Sequence, residues 1–256
     1  SNGITVIVSE NHKIPKVSFN IRMGSDPILE GRLAGLSDLA GSLLLSGTSN
    51  RSKDQFDNDI DYIGADLSAD KNSIFLSCLT KHVDKGLTLM SDVLLNASFP
   101  EDEFIRIKKQ NESGLMAAKS DAGAMAQNAT SKVNFPKHPY GEVMTEASLN
   151  AIQLQDVKDY FKKTFTPKGA YLVIVGDVNL EEATRLANKY FGFWVGPEPY
   201  LNQTESAQKN KGDRVIFVNK PGAVQSVVYI TFPVNIQPGD KHQLPLTVLN
   251  GILGGG

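Results

Sequence analysis

The order of periodicities along the chain predicts an α+β fold, an antiparallel sheet flanked by helices. Three observations carry this. Short β-rich runs come in pairs, near the start and again at 66–79. Longer stretches with apolar residues three and four apart separate and follow them, the period of a helix. Gly, Pro, Asn and Asp fall between the runs, where a chain reverses or a helix stops. Strands in groups followed by helices in groups favour α+β over a strictly alternating parallel layout.

Residues 4–9 and 17–23 are β-rich and flank the turn-like stretch 11–15, which suggests a hairpin or meander pair. Asp26 and Pro27 break the second strand. The stretch 35–48, GLSDLAGSLLLSGT, places Leu36, Leu39, Leu43 and Leu44 on one helical face. Ser37, Asp38, Gly41 and Ser42 share the other face, and Gly47 supplies a stop. Ser52 is the expected N-cap of a helix over Lys53–Ile63, closed by Gly64. Residues 66–70 and Ser73–Leu79 alternate as antiparallel strands around a Lys71-Asn72 turn.

Residues 82–95 are helical in period, with Val83, Leu87, Met90 and Leu94 inward. Pro100 opens a long helix over 101–119, proline suiting the first turn. A helix of small residues follows at 122–133, then a loop with two prolines at 135–141, FPKHPYG. Ser148 or Asn150 leads into Leu154–Thr164. Residues 170–175 form a buried strand that closes at Gly176 and Asp177, and Leu180–Phe191 is a further helix. The stretch 192–213 is polar, rich in Gly and Pro and aperiodic, the mark of a linker or domain edge. Strands at 214–218 and 227–232 and a helix over 242–253 are expected to start a second unit. The expected division is a first domain over 1–200, a linker over 201–213 and a truncated second domain over 214–256.

Composition narrows the function classes. With 26 basic and 28 acidic residues among 256, and a net charge of −2, nothing points to nucleic acid or an anionic membrane as partner. No apolar run approaches the ~18 residues of a membrane span. Cys78 is the only cysteine, which excludes an internal disulfide and a cysteine zinc cluster. It lies in an apolar run and reads as a small core residue. There is no phosphate-binding glycine loop, no G-x-S-x-G and no Cys/His pair. The histidines are His12, His82, His138 and His242, and no two lie three or four residues apart, so no helical turn offers a His pair to zinc. His138 reads as structural in its proline loop and the other three as surface residues. Both ends look cut, Ser1-Asn2 ahead of the first strand and three glycines after Leu253.

Residues 35–48 resemble, position for position, the signature helix of the pitrilysin/insulinase-type zinc peptidases, G-L-A-H-x-x-E-H-x-x-F-x-G-T, the inverted zinc motif. Gly35, Leu36, Gly47 and Thr48 match. Asp38 and Ser42 stand where the two histidines belong, and Gly41 where the catalytic glutamate belongs. Other blocks follow in the family's order. Residues 2–6 resemble its first strand, and 135–141 its F-P-x-H-P-Y-G loop. Residues 166–177 resemble its strand ending in G-D. Residues 220–226 and 253–256 resemble the start of its second repeat domain.

The resemblance implies a six-stranded antiparallel sheet with flanking helices, then the start of a second such domain. It also implies a pair of halves that close around a peptide, joined covalently or as two subunits. The family's third zinc ligand is a glutamate on the later long helix. Counting on from Ser42 leads to Ser113, Gly114 and Lys119, with Glu112 the nearest acid. Asp38 alone offers oxygen to a hard cation, and Gly41 has no group to accept a proton. The expectation is a non-catalytic homologue or subunit of a zinc peptidase. It would carry no cofactor of its own and help an active partner, or an active half of the same protein, enclose peptide substrate. Asp66, Leu67, Ser68, Ala69 and Asp70 are the candidate edge strand for an added peptide strand, with an ordinary sheet strand as the competing reading. The alternatives are a zinc endopeptidase whose site lies in sequence outside this chain, and an interaction scaffold. A bacterial periplasm or cell envelope is the compartment such relatives suggest. Rebuilding the motif by Asp38→His, Gly41→Glu and Ser42→His is expected to fit the helix, Gly41→Glu even firming it slightly.

Overall fold

The computed structural model describes residues 2–201, 212, 214–234, 236 and 239–255. The chain divides into two compact units, residues 1–117 with 142–202, and residues 118–141 with 203–256.

The first unit is an α+β layer. Its strands are β1 (Thr5–Glu10), β2 (Lys16–Arg22), β3 (Asp66–Ala69), β4 (Ser73–Leu79) and β5 (Tyr171–Gly176). They form one five-stranded sheet in the order β1-β5-β2-β4-β3. Three ladders are antiparallel, and β1 with β5 is parallel. Two expectations are corrected here. The sheet has five described strands and is mixed, where six antiparallel strands were expected. β1 and β2 do not form a hairpin, because β5 lies between them, pairing Val17 with Gly176 on one side and Thr5 with Tyr171 on the other.

Burial explains that insertion. Val17, Phe19 and Ile21 on β2 are buried, so this strand belongs inside the sheet with a ladder on each side. β1 is exposed along nearly its whole length and suits an edge. The 11–15 connection steps over the end of β5 and grips it: Asn11 N–H donates to the Gly176 carbonyl (2.8 Å), and Asp177 N–H to that of Lys16 (3.0 Å). Gly176 has φ 133°, and a Cβ there would stand 2.2 Å from the Lys16 oxygen, so only glycine closes this strand.

One sheet face carries the core. Phe19, Ile21, Ile74, Leu76, Leu172 and Ile174 are essentially inaccessible. Against this core lie α1 (Leu36–Leu43), α2 (Lys53–Ile63), α3 (Val83–Asn96), α4 (Glu101–Ala118), α6 (Glu146–Ala151), α7 (Leu154–Thr164) and α8 (Leu180–Phe191), each through its apolar stripe. Each fully buried Leu, Ile or Phe contributes about 1.5–3 kcal/mol. Cys78 belongs to this core, and burial pushes its thiol up to about 11, which makes it inert.

The second unit holds α5 (Ala122–Asn134), capped by the Asp121 carboxylate on Ala124 N–H (2.6 Å), and the 3-10 turn Pro139–Gly141. The expected proline loop folds back on itself. His138 Nδ1 accepts from Tyr140 N–H (3.1 Å), and the two rings meet at 4.5 Å with their planes tilted by 56°. The unit also holds α9 (Gln243–Asn250), continued by a π-helical turn over Gly251–Gly255. The strands expected at 214–218 and 227–232 are not formed. Those residues are rich in β-branched and aromatic side chains, as strands are, but no described residue pairs with them as a strand, and Val215 and Phe217 are almost fully exposed.

Candidate functional site

The signature stretch is built from three local devices. At its start, Gly35 is left-handed at φ 99°, and the side chain of Met144 packs where a Cβ would go. The Glu30 carboxylate accepts from the N–H groups of Gly35 (2.6 Å), Leu36 (2.9 Å) and Ser37 (2.8 Å). It thereby satisfies the open donors of α1 with a charge of favourable sign for the helix dipole. Glu142 in turn accepts from the N–H groups of Glu30 and Gly31.

At its end the chain leaves the helix through Gly47 and Thr48 and is anchored on Asp92 of α3. This carboxylate is only 5% exposed. It accepts from Thr48 Oγ1 (2.8 Å), Asn50 Nδ2 (2.6 Å), Arg51 Nη1 (2.7 Å) and Asn96 Nδ2 (2.8 Å). Burial raises its pKa, but the hydrogen bonds from Asn50, Asn96, Thr48 and Arg51 outweigh that, and the net shift is downward.

The middle holds the three exchanged positions. Leu39 and Leu43 are fully buried beneath them. Asp38 is exposed and pairs with Lys71 Nζ at 2.9 Å. The Ser42 hydroxyl donates to the Asp38 carbonyl (2.9 Å), a bond within the helix. Gly41 is buried, and the backbone of the β3–β4 turn lies directly on it. A Cβ at 41 would stand 2.5 Å from Lys71 N and 2.7 Å from the Asp70 carbonyl carbon. Gly41 has an ordinary helical φ, so close approach, not backbone conformation, is what requires glycine. The expectation that Gly41→Glu fits the helix is overturned by this contact.

Tyr160 of α7 completes the arrangement. Its hydroxyl donates to the Lys71 carbonyl (3.2 Å). Burial, then the Glu30 charge, push the phenol up to about 12, so it remains a donor at any ordinary pH. Neither Lys71 nor Tyr160 stood out in the sequence. The single cue was a glycine inside a helical pattern, which calls for a packing reason.

The remaining site residues lie apart. Glu112, Ser113 and Gly114 are exposed on α4, and Gly114 faces open space. Gln110, Asn111, Gly114, Leu115 and Met144 line a shallow groove of about 310 Å³ there. His12 Nδ1 lies 2.8 Å from Asp177 Oδ1, and Asp177 Oδ2 accepts from Thr80 Oγ1 (2.9 Å). His242 pairs with Asp240 at 2.9 Å. His82 is half-buried at the end of the Thr80–His82 turn, where a surface position was expected. Among the described residues no three His, Cys, Asp or Glu side chains converge as a metal site. The α1 positions do not fit catalytic zinc: one carboxylate is held by a lysine, one hydroxyl by its own helix, and the third position is filled by backbone.

Asp66, Leu67, Ser68 and Ala69 form β3, at the end of the sheet order beside β4 alone. Asp70 belongs to the turn, its N–H donating to the Ser73 carbonyl (2.9 Å) and its carboxylate accepting from Asn72 and Ser73. With residues 70 and 73 bonded, antiparallel alternation bonds Ser68 to Phe75 and turns the backbone groups of Leu67 and Ala69 to the open edge. No described helix is long and apolar enough to cross a membrane.

Comparison with known proteins agrees with this architecture. The model of the insulinase family, peptidase family M16, matches residues 6–146, and that of the peptidase M16 inactive domain matches residues 151–256. A Helicobacter pylori protein named non-peptidase homolog YmxG is 22% identical over 99% of this chain and 60% of its own length. Zinc protease PqqE of the same organism is 25% identical over 100% of this chain and 60% of its own. The chain thus spans about 60% of the length of these relatives. Among solved structures, a peptidase M16 inactive domain from Pseudomonas fluorescens superposes with a TM-score of 0.75 at 21% identity, covering 82% of this chain and 53% of that one. A Helicobacter pylori protease superposes with a TM-score of 0.77 at 20% identity, covering 87% and 56%. With one family model matching more than half of its length, the chain belongs to the insulinase (M16) peptidase family.

Proposed function

We propose that this chain is a non-catalytic member of the family that holds extended peptide along the β3 edge. It acts with a catalytically competent half, either a partner subunit or other sequence of the same protein. The observation that carries this reading is the state of the three exchanged positions: Asp38 neutralised by Lys71, Ser42 bonded to its own helix and Gly41 covered by backbone. A catalytic site of this class needs converging ligands and a base to activate the bound water, and α1 offers neither. The match to an inactive-domain model over 151–256 and the relative named a non-peptidase homolog support it. What persists for peptide is backbone: an edge strand with the Leu67 and Ala69 groups turned outward, suited to strand addition. In this reading residues 1–200 are the first family domain, 201–213 a linker and 214–256 the start of the second.

Two measurements test it on the 256-residue chain. Metal analysis after dialysis against micromolar zinc should find less than one zinc per chain. Fluorescence anisotropy with a labelled unstructured peptide should show binding that Ala69→Pro weakens, since proline removes the outward N–H without touching the β4 ladder. Stoichiometric zinc on α1 with chelator-sensitive cleavage would sink the reading. Absence of peptide binding in a chain that still captures a catalytic partner would turn it into an interaction scaffold.

A further inference from the structure

We infer that Asp38 and Gly41, two of the exchanged positions of α1, form a seat for the β3–β4 turn, a latch that fixes the edge strand and fills the space a side chain at position 41 would take. Three fasteners converge on Lys71 alone. Its backbone rests on Gly41, its ammonium meets Asp38, and its carbonyl accepts from Tyr160. A fourth holds the next residue, where the Asn72 carbonyl accepts from Met23 N–H (2.8 Å). These come from α1, α7 and the end of β2, so the turn is clamped from three sides.

β3 needs such a clamp. It is four residues long, bonded on one side only, and Leu67 is its single buried side chain. A strand this short belongs to the low-stability end of a fold and opens locally unless its end is fixed. The latch therefore makes Gly41, Asp38, Lys71 and Tyr160 positioning residues for the β3 edge. Holding the strand in place before a peptide arrives lowers the ordering cost of strand addition. This last consequence rests on the proposed role of β3 in peptide binding; the latch itself does not.

Hydrogen exchange read by mass spectrometry on the 256-residue chain separates the two. Gly41→Ala should raise exchange across 66–73 by about tenfold or more while the central strand β2 keeps its protection, the pattern of local rather than global opening. Tyr160→Phe and Lys71→Ala should do the same more weakly, the latter because an exposed ion pair holds little. Gly114→Ala, a helical glycine with open space around it, should change nothing in 66–73. If Gly41→Ala does not fold, the Tyr160→Phe/Lys71→Ala pair carries the test. Wild-type exchange across 66–73 in the Gly41 and the paired variants, or equal loosening of β2, overturns the latch. Labelled-peptide affinity is measured beside it and should fall about tenfold in Gly41→Ala. Local loosening with no peptide bound by any variant would leave the latch standing and remove the peptide reading.

Discussion

At Thr48 the chain buries a carboxylate and surrounds it with four donors, whereas at Asp38, on the same signature stretch, a carboxylate stands in solvent with one lysine. The first arrangement organises the exit from α1 and ties it to α3. The second leaves the helix body and touches only a turn. The difference separates the frame of the motif from its chemistry. Gly35, Gly47 and Thr48 are needed by the backbone whatever the protein does. Positions 38, 41 and 42 are free of that duty: Asp38 and Gly41 meet the β3–β4 turn, and Ser42 bonds back to its own helix.

The sharpest way to break the contrast is Asp92→Ala. Removing this carboxylate takes the acceptor from Thr48, Asn50 and Asn96 as well as Arg51, and each buried donor left unpaired should cost about 1–3 kcal/mol in chemical denaturation. Because the folded pKa of Asp92 is depressed, its contribution is present above the unfolded value near ~4 and is lost as pH falls through the folded one. The variant should therefore lose less of its remaining stability in acid than the parent. Leu43→Ala, beneath the exchanged positions, should cost ~2–5 kcal/mol, the spread set by how far the core closes on the cavity. Gly41→Glu should cost about 1–3 kcal/mol by overpacking against the Lys71 backbone, the reverse of what helix propensity alone suggests. Asp38→Ala should cost less than ~1 kcal/mol, as an exposed pair. If denaturation ranked Asp38 above Leu43, the two ends of the stretch would not differ as described.

The smallest effect lies elsewhere on the sheet. The hydrogen bond to Asp177 leads the interactions that raise the His12 pKa above its ordinary value, and Glu10 adds to it. The stabilising pair is therefore complete below about pH 6.5 and is lost as pH rises through the folded pKa. An NMR titration should place His12 above 6.5, and Asp177→Asn should bring it back.

Helices were legible because their signal is local. The caps at Ser52 and the apolar faces of α1, α2, α3 and α8 follow from residues a few positions apart. The β3–β4 hairpin was legible for the same reason, Lys71 and Asn72 standing between two alternating runs. Sheet order was not. Nothing near residues 4–23 shows that β5 will enter between them, since its pairing depends on which strand the finished core buries. The strands expected at 214–218 and 227–232 failed in the opposite way, with β-rich local composition present and no partner strand among the described residues. At the site, the missing ligands could be read from single positions. The seat at Gly41 could not, because it depends on a backbone contact that only the folded chain makes.

The place of β5 also bears on how the molecule comes into being. Thr5 waits for Tyr171, and Val17 for Gly176, before the middle of the sheet can close. Synthesis at ~5–20 residues per second separates those partners by roughly ten to thirty seconds. During that interval β2 can pair only with β4, and its other edge, with Phe19 and Ile21 along it, stays open. Such an edge invites pairing with other chains. Pairings so distant also close slowly once all the residues exist. A nascent chain that stalls before residue 171 would therefore present a hydrophobic, unpaired strand to its neighbours. Both ladders that β5 makes, and with them the middle of the sheet, require residues 171–176 to be present.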